Sequence, residues 1–406
     1  MSTVESPHVL MLGWHAAAYA ALIDHHARVL AVIDTKHLGR ARGHDPSGTF
    51  MVVPDTGDVE QVLAGLARAR IPLDGFDTVC TITEYPMVAA ALLAQHCKAA
   101  GMPVATAIAL RDKFVQKRLI RDAGLPVADA RVVNFLSELV DDQTAYPVVV
   151  KPINGAASRD THLVPHREAL EQLAADEDRP PRGPWLVEEF IRGEELHIDG
   201  VVRYGTIQMF AVSRYIQNLI DIKSGGLVGS VVIAPDESLD LYRRSEDLLS
   251  AALQALGHTD GIFHTEVFVT DNGLVFSECG GRLGGGMIRE TVLRHSGVHL
   301  SDEWARAALA LPPGRPLEPS AAHCGFVQLP VPVGVARHVP DQTEILAQPG
   351  CLEAVLKLTA GSPTPDLSVS VNTWAGRAVV GGASEEQVRA RLLALATWFS
   401  DSVVVQ

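Results

Sequence analysis

The sequence predicts a mixed fold: an N-terminal α/β part built on a parallel sheet, followed by α+β parts built on antiparallel strands. Over the first hundred residues, short apolar runs alternate with helical stretches, the pattern of a parallel sheet covered on both faces. Late in the chain, residues 261–290 (GIFHTEVFVTDNGLVFSECGGRLGGGMIRE) read as a strand, a DNG turn and a second strand, a strong hairpin signal. With 406 residues, 47% hydrophobic and 20% charged, the chain has room for two or three cored domains.

Thirty-four basic against 48 acidic residues give a net charge of −14, which argues against nucleic-acid or anionic-membrane partners. The five cysteines are scattered and never in CxxC spacing, which argues against a cysteine-built zinc site or a disulfide framework. No basic segment followed by an apolar one opens the chain and no run of 18 apolar residues occurs, so a cytoplasmic location is expected.

In chain order, residues 8–13 (HVLMLG) form a strand and an alanine-rich helix follows to about residue 26. A second strand, 28–34, ends in Asp34. Another is predicted at 77–83, with a helix over 85–101 and a short returning strand at 102–104. The first turn holds Gly13 without a GxGxxG pattern, which leaves a dinucleotide site weakly supported. Glu84, at a strand's carboxyl end, is either a binding residue or a helix cap.

Asp112 is placed to cap a helix that Gly124 and Pro126 end. Lys113 in its first turn is opposed by the helix dipole; a bound anion would remove the conflict, and a solvated side chain is the alternative. Residues 146–151 (YPVVVK) make a strand ending in Lys151, a costly group to bury unpaired. The loop Asn154-Gly155-Ala156-Ala157-Ser158 lets backbone amides approach an anion, though it is not a Walker loop. A disordered-looking stretch, 176–183, precedes strands at 185–191, 198–202, 207–214 and 227–233, with a flexible loop at 224–226. An amphipathic helix spans 239–256. After the hairpin come a helix at 302–311, strands at 324–329 and 369–374, and a helix over 385–399. Proline and glycine near 312–319 suggest a boundary.

Hairpin register decides whether Glu266 and Glu278 meet. A two-residue loop of Asn272-Gly273 sets Glu266 against Cys279, with Glu278 on the other face. A three-residue loop, Asp271-Asn272-Gly273, sets Glu266 against Glu278, His264 against Gly280 and Phe268 against Phe276. Two facing carboxylates make sense mainly around a hard cation such as Mg²⁺; solvated glutamates on a surface hairpin are the alternative.

Together these motifs resemble the ATP-grasp superfamily, and within it the carboxylate–amine ligases that join amino acids, the L-amino acid (dipeptide) ligases. The resemblance runs over almost the whole chain. It implies a Rossmann-like domain at 1–110, a nucleotide-binding lid with its hinge at 111–195, a catalytic subdomain at 196–311 and an α+β lobe at 312–406. It assigns Lys113 and Lys151 to the nucleotide phosphates, with Ser158 in the covering loop. Glu188, Glu189, Phe190 and Ile191 would surround adenine, and Glu195 would hold the ribose. Glu266 and Glu278 match the metal-binding carboxylates, for Mg²⁺ or Mn²⁺, which requires the facing register. Arg282 matches the arginine at the transferred phosphate or substrate carboxylate. Arg282, Gly285, Gly286, His197 and Arg214 are the substrate candidates, with Tyr215 and Lys223 further possible walls. The implied activity is ATP-dependent, ADP-forming joining of a small carboxylic acid to an amine through an acylphosphate, with small molecules and a second copy of the chain as partners. A biotin-carboxylase-like enzyme, an acid–thiol ligase, a phosphoryl transferase and a degenerate nucleotide-binding regulator are the alternatives. Two departures stand out: Arg159-Asp160 where many members read Gly-Val, and Gly280 where the family usually has a metal-binding Asn. His264, opposite Gly280, is a candidate to approach that gap.

Overall fold

The computed structural model describes residues 6–140, 144–155, 158–175, 183–368, 370 and 372–406. Strands β1 (His8–Leu12), β2 (Arg28–Asp34), β3 (Thr49–Val53) and β4 (Thr78–Cys80) form a parallel sheet in the order β3-β2-β1-β4. Helices Ala16–Asp24 and Met87–Cys97 cover it. The strand predicted at 102–104 is absent: the chain bridges to β4 at Ala100, before that stretch, and Pro103 precedes a helix, Val104–Arg111, that starts at once. Proline fixes the backbone without donating a hydrogen bond, which suits a helix start better than a ladder.

A smaller antiparallel sheet comprises β5 (Ala130–Val133), β6 (Val148–Pro152), β7 (His162–Val164) and β8 (Trp185–Glu189), ordered β5-β8-β6-β7. Its core is Val148, Val150, Leu170 and Trp185. The helix Lys113–Asp122 that leads into it is capped by Asp112, whose Oδ1 accepts from the amides of Phe114 and Val115 at 2.9 Å each.

The remaining strands are β9 (Glu194–Arg203), β10 (Thr206–Tyr215), β11 (Gly229–Val232), β12 (Gly261–Thr270), β13 (Gly273–Gly280), β14 (His323–Leu329), β15 (Ala336–His338), β16 (Cys351–Leu356), β17 (Gly376–Gly382) and β18 (Val404–Val405). Eight of them make one sheet, ordered β13-β12-β9-β10-β11-β14-β17-β16. This sheet runs unbroken across residue 312. Helix Leu239–Leu256 packs on one face, with Leu249, Leu253 and Leu256 against Ile198, Phe263 and Val267; Gly257, at φ +67°, closes it. Of the stretch 369–374, Val369 and Val371 lie outside the described residues; the described ones form no strand, and the strand begins at Gly376. The disordered-looking stretch lies outside them except for Gly183, as do Ala156 and Ala157.

Candidate active site

Glu266 and Glu278 are direct partners in the β12–β13 ladder. The turn that achieves this differs from both expected loops. Thr270 pairs with Gly273, so the loop is the two residues Asp271-Asn272, and Phe268 faces Val275 rather than Phe276. In that register Glu266 would meet Ser277. The ladder shifts between Glu266 and Val267, and Ser277 is left unpaired as a bulge. One inserted residue reverses side-chain alternation, so Glu278 joins Glu266 on one face while Phe276 enters the core beside Val267. The bulge is held from outside the hairpin: the Phe276 amide donates to the Pro126 carbonyl at 2.8 Å, and Lys117 Nζ donates to the Ser277 carbonyl at 3.0 Å.

The acid pair faces a cavity of about 520 Å³ that is lined from the lid sheet as well as the large sheet. Lys113 Nζ lies 2.8 Å from Glu278 Oε1 and donates to the Gly155 carbonyl at 2.8 Å. The anion that offsets the conflict between Lys113 and the helix dipole is thus a carboxylate of the protein itself. Burial disfavours the Glu278 charge, yet Lys113 and Lys151 outweigh it and hold the carboxyl at about 2. Lys151 Nζ sits 2.6 Å from Glu188 Oε1, and Lys117 Nζ sits 2.9 Å from Glu188 Oε2. Glu188 is therefore a buried bridge between two lysines. Burial lowers the Lys117 ammonium, with Glu188 opposing; for Lys151 the nearby glutamates override burial and raise it. Glu195, whose Oε2 accepts from the Leu219 amide at 2.7 Å, is pushed up to about 8 by burial and by Glu266.

Arg282 lines the cavity with its Nε paired to Glu84. Glu84 also lies 3.9 Å from buried Arg111. It makes no helix cap through its side chain; it positions Arg282. Below the acid pair, Asp199 bridges two imidazoles, His197 Nδ1 at 2.6 Å and His264 Nδ1 at 2.9 Å. The other nitrogen of His264 is 3.5 Å from Glu266 Oε1. Burial opposes protonation of His264, but Asp199 prevails and lifts it to about 9. His264 thus stands between Asp199 and Glu266, and its side of the hairpin is the side of Gly280. The glycine run rests on this cluster: a Cβ on Gly284 would come within 2.8 Å of Asp199 Oδ1 and 2.9 Å of His264 Nδ1.

Lys113, Lys151, Ser158, Glu188, Glu189, Phe190, Ile191, Glu195, Glu266, Glu278, Arg282, Gly285 and Gly286 all line the one cavity. Two substrate candidates do not. Arg214 pairs with Leu196 on the opposite face of the sheet and is bound by Glu194 and Glu385, with Glu385 Oε1 at 2.7 Å; alternation along β10 gives the cavity Tyr215 instead. His197 faces the right way but is 1% exposed, locked between Asp199 and Ser230. The Lys223 side chain lies outside the described residues. Lys117, absent from the expected set, belongs to it; its signal was helical spacing, four residues from Lys113 and three from buried Ile120.

Residues 144–290 match the ATP-grasp domain model. The chain carries an ATP-grasp domain. An L-arginine-specific L-amino acid ligase from Bacillus subtilis is 24% identical over 318 residues, 76% of each chain. Dapdiamide A synthase from Enterobacter agglomerans is 27% identical over 209 residues, 47% of each. The crystal structure of an L-amino acid ligase from Bacillus licheniformis matches 100% of both chains at 19% identity and a TM-score of 0.77, the same fold. Among the described residues, no helix is long and apolar enough to cross a membrane.

Proposed function

We propose that the chain joins the carboxylate of one small amino-acid-like substrate to the amine of another, using ATP and releasing ADP and phosphate. The observation that carries this reading is the facing pair Glu266 and Glu278, with Lys113, Lys151 and Arg282 around the same cavity. A free carboxylate is a poor electrophile, and phosphorylation makes it an acylphosphate that an amine can attack. Three fixed cations stabilise charge on the phosphoryl group as it transfers.

The donor set fits a hard divalent ion: two carboxylates on one strand pair, with water available to complete the shell where Gly280 offers no amide. Glu266 and Glu278 would hold Mg²⁺ or Mn²⁺, which when bound neutralises phosphate charge. His264, held by Asp199, orients Glu266. Lys113 and Lys151 bind phosphate oxygens, and Glu195 meets the ribose. Phe190 and Ile191 present backbone to adenine, between Glu189 and the buried Glu188. In this scheme residues 111–195 are the lid, 196–311 carry the acid pair, and 1–110 and 312–406 close the substrate side. The Ser158 loop, once closed, excludes water that would hydrolyse the acylphosphate.

The test is an ADP-release screen over pairs of amino acids, with mass spectrometry of the products. A new amide formed in step with ADP supports the reading, and Glu278→Ala should abolish both. ADP release that depends on bicarbonate and biotin, with no amide formed, would instead favour carboxylation.

A further inference from the structure

The cavity that holds the acid pair also reaches β17, where Arg377 enters its wall. No sequence motif marks this residue. Its place in the ladder, opposite Gln328 of β14, gives it the same face as Phe326, Ser230 and Tyr215, and so the face of Glu266. The guanidinium carbon lies 4.4 Å from the centre of the Trp374 ring, and Nη1 donates to the Gly286 carbonyl at 3.3 Å. Lys357 Nζ lies 5.5 Å from the centre of the same ring. These contacts fix the plane of the guanidinium without neutralising it.

Among the described residues no carboxylate lies within 4.0 Å of Arg377, and its Nε is buried with no hydrogen bond. Glu290, the acid whose field it feels, is clamped by its neighbour Arg289, with Nε at 3.1 Å. Burial lowers the guanidinium to about 10, with Glu290 opposing, so it is still a cation at neutral pH. A half-buried cation held rigid by an aromatic face and a carbonyl, with donors left over, is built to receive an anion that arrives from the cavity.

Geometry says which anion. Gly286, the residue Arg377 holds, is two residues from Gly284, at most ~7 Å of chain. Gly284 abuts Asp199 and His264, and His264 abuts Glu266. Arg377 and the acid pair therefore line one cavity with the glycine run between them. A substrate with its reacting carbonyl at the acid pair, lying along that cavity past the glycine run, would turn its far end towards Arg377.

We propose that Arg377 is a specificity-determining residue that binds a substrate carboxylate other than the one being activated. The proposal deepens the ligase reading and rests on it. Two sources share this chemistry: the α-carboxylate of the amine-donating substrate, or the side-chain carboxylate of an acidic amino acid.

The experiment measures dissociation constants on the full chain with Mg²⁺ and a non-hydrolysable ATP analogue. The probes are L-glutamate against L-glutamine and L-alanine against alaninamide. In the wild type at least one carboxylate probe binds ~10-fold or more tighter than its amide, and Arg377→Gln reduces that contrast to under ~3-fold, the scale of losing one charge-assisted bidentate contact. Collapse of the glutamate–glutamine contrast identifies a side-chain carboxylate; collapse of the alanine–alaninamide contrast identifies the α-carboxylate. Arg377→Lys keeps the charge, loses the planar fork and retains an intermediate contrast, which gives the same reading should the Gln variant not fold. A purely structural arginine would weaken acid and amide alike. No contrast in the wild type, or one that survives Arg377→Gln, overturns the proposal. Contrast without ADP release from any pair would overturn the ligase reading and leave the carboxylate site standing. ADP release with contrasts unchanged in the variant would overturn the Arg377 assignment alone.

Discussion

Glu266 faces Glu278 because Ser277 has no partner in the β12–β13 ladder. The two-residue turn at Asp271-Asn272 sets one register, and the bulge moves Glu278 to the other. Deleting Ser277 should remove the bulge and let Glu278 follow Phe276 directly into the place opposite Glu266, so the facing pair should survive and ADP release should stay within about tenfold of the wild type. Ser277→Ala should stay within about threefold, because the only Ser277 contact the bulge uses is its backbone carbonyl, bonded to Lys117. Circular dichroism would verify that the deletion variant folds. A folded deletion variant that loses ADP release by about 10²-fold or more would show that the facing pair alone is not enough and that the bulge itself is required.

Which parts of this site were readable in advance depends on whether the cause is local. Alternating β-branched residues mark β12, and Asp112 with Gly124 brackets its helix; both are short-range signals and both elements formed. The pairing of Glu266 with Glu278 followed from the resemblance, but the turn did not, because DNG suits several loop lengths and the register is set from afar by Pro126 and Lys117. Arg214 looked as available as Tyr215 until alternation along β10 assigned each a face. Glu188 read as part of the adenine hinge, and only the fold brings Lys117 from a different element to its second oxygen. Arg377 carries no pattern at all; strand order alone brings β17 to the cavity.

Glu188 should matter for stability as much as for nucleotide binding. It is one buried carboxylate serving two buried ammonium groups, Lys117 and Lys151. Removing its charge strands both, and a broken buried pair costs roughly 3–5 kcal/mol. Glu188→Gln is expected to lose about that much in urea unfolding. Lys117→Met leaves Lys151 paired and removes a costly desolvated charge, so its loss should be clearly smaller. Equal losses would mean that Lys151 is not stabilised through Glu188.

The glycines of the 284–286 run differ in what surrounds them. A Cβ on Gly284 would collide with Asp199 and His264, both buried, whereas Gly285 has nothing within 4 Å. Gly284→Ala should therefore push the loop off its support and lower kcat/KM by ~10-fold or more, while Gly285→Ala should stay within about threefold. Steady-state ADP release on both variants decides it. A reversed order would place the substrate against Gly285 and detach the loop from the Asp199 cluster.

His15 should set an acid limit on stability. Its Nδ1 accepts from the Ala18 amide at 3.4 Å at the start of helix Ala16–Asp24, a role that needs that nitrogen unprotonated. Burial first, then Arg289, lower its pKa to about 4 from an ordinary 6.5, with Glu290 opposing. The folded state thus binds the proton less readily than the unfolded chain, so this contribution is intact above pH ~6.5 and is lost as pH falls towards ~4. At 1.36 kcal/mol per unit, and discounted for partial exposure, the loss is roughly 2 kcal/mol. Asparagine keeps a cap acceptor that does not titrate. His15→Asn should therefore unfold within ~0.5 kcal/mol of the wild type at pH 8, and its relative stability should rise by roughly 2 kcal/mol between pH 7 and pH 4. Urea titrations of both proteins across that range would read the difference directly; parallel pH profiles would mean that His15 is protonated in the fold and caps nothing.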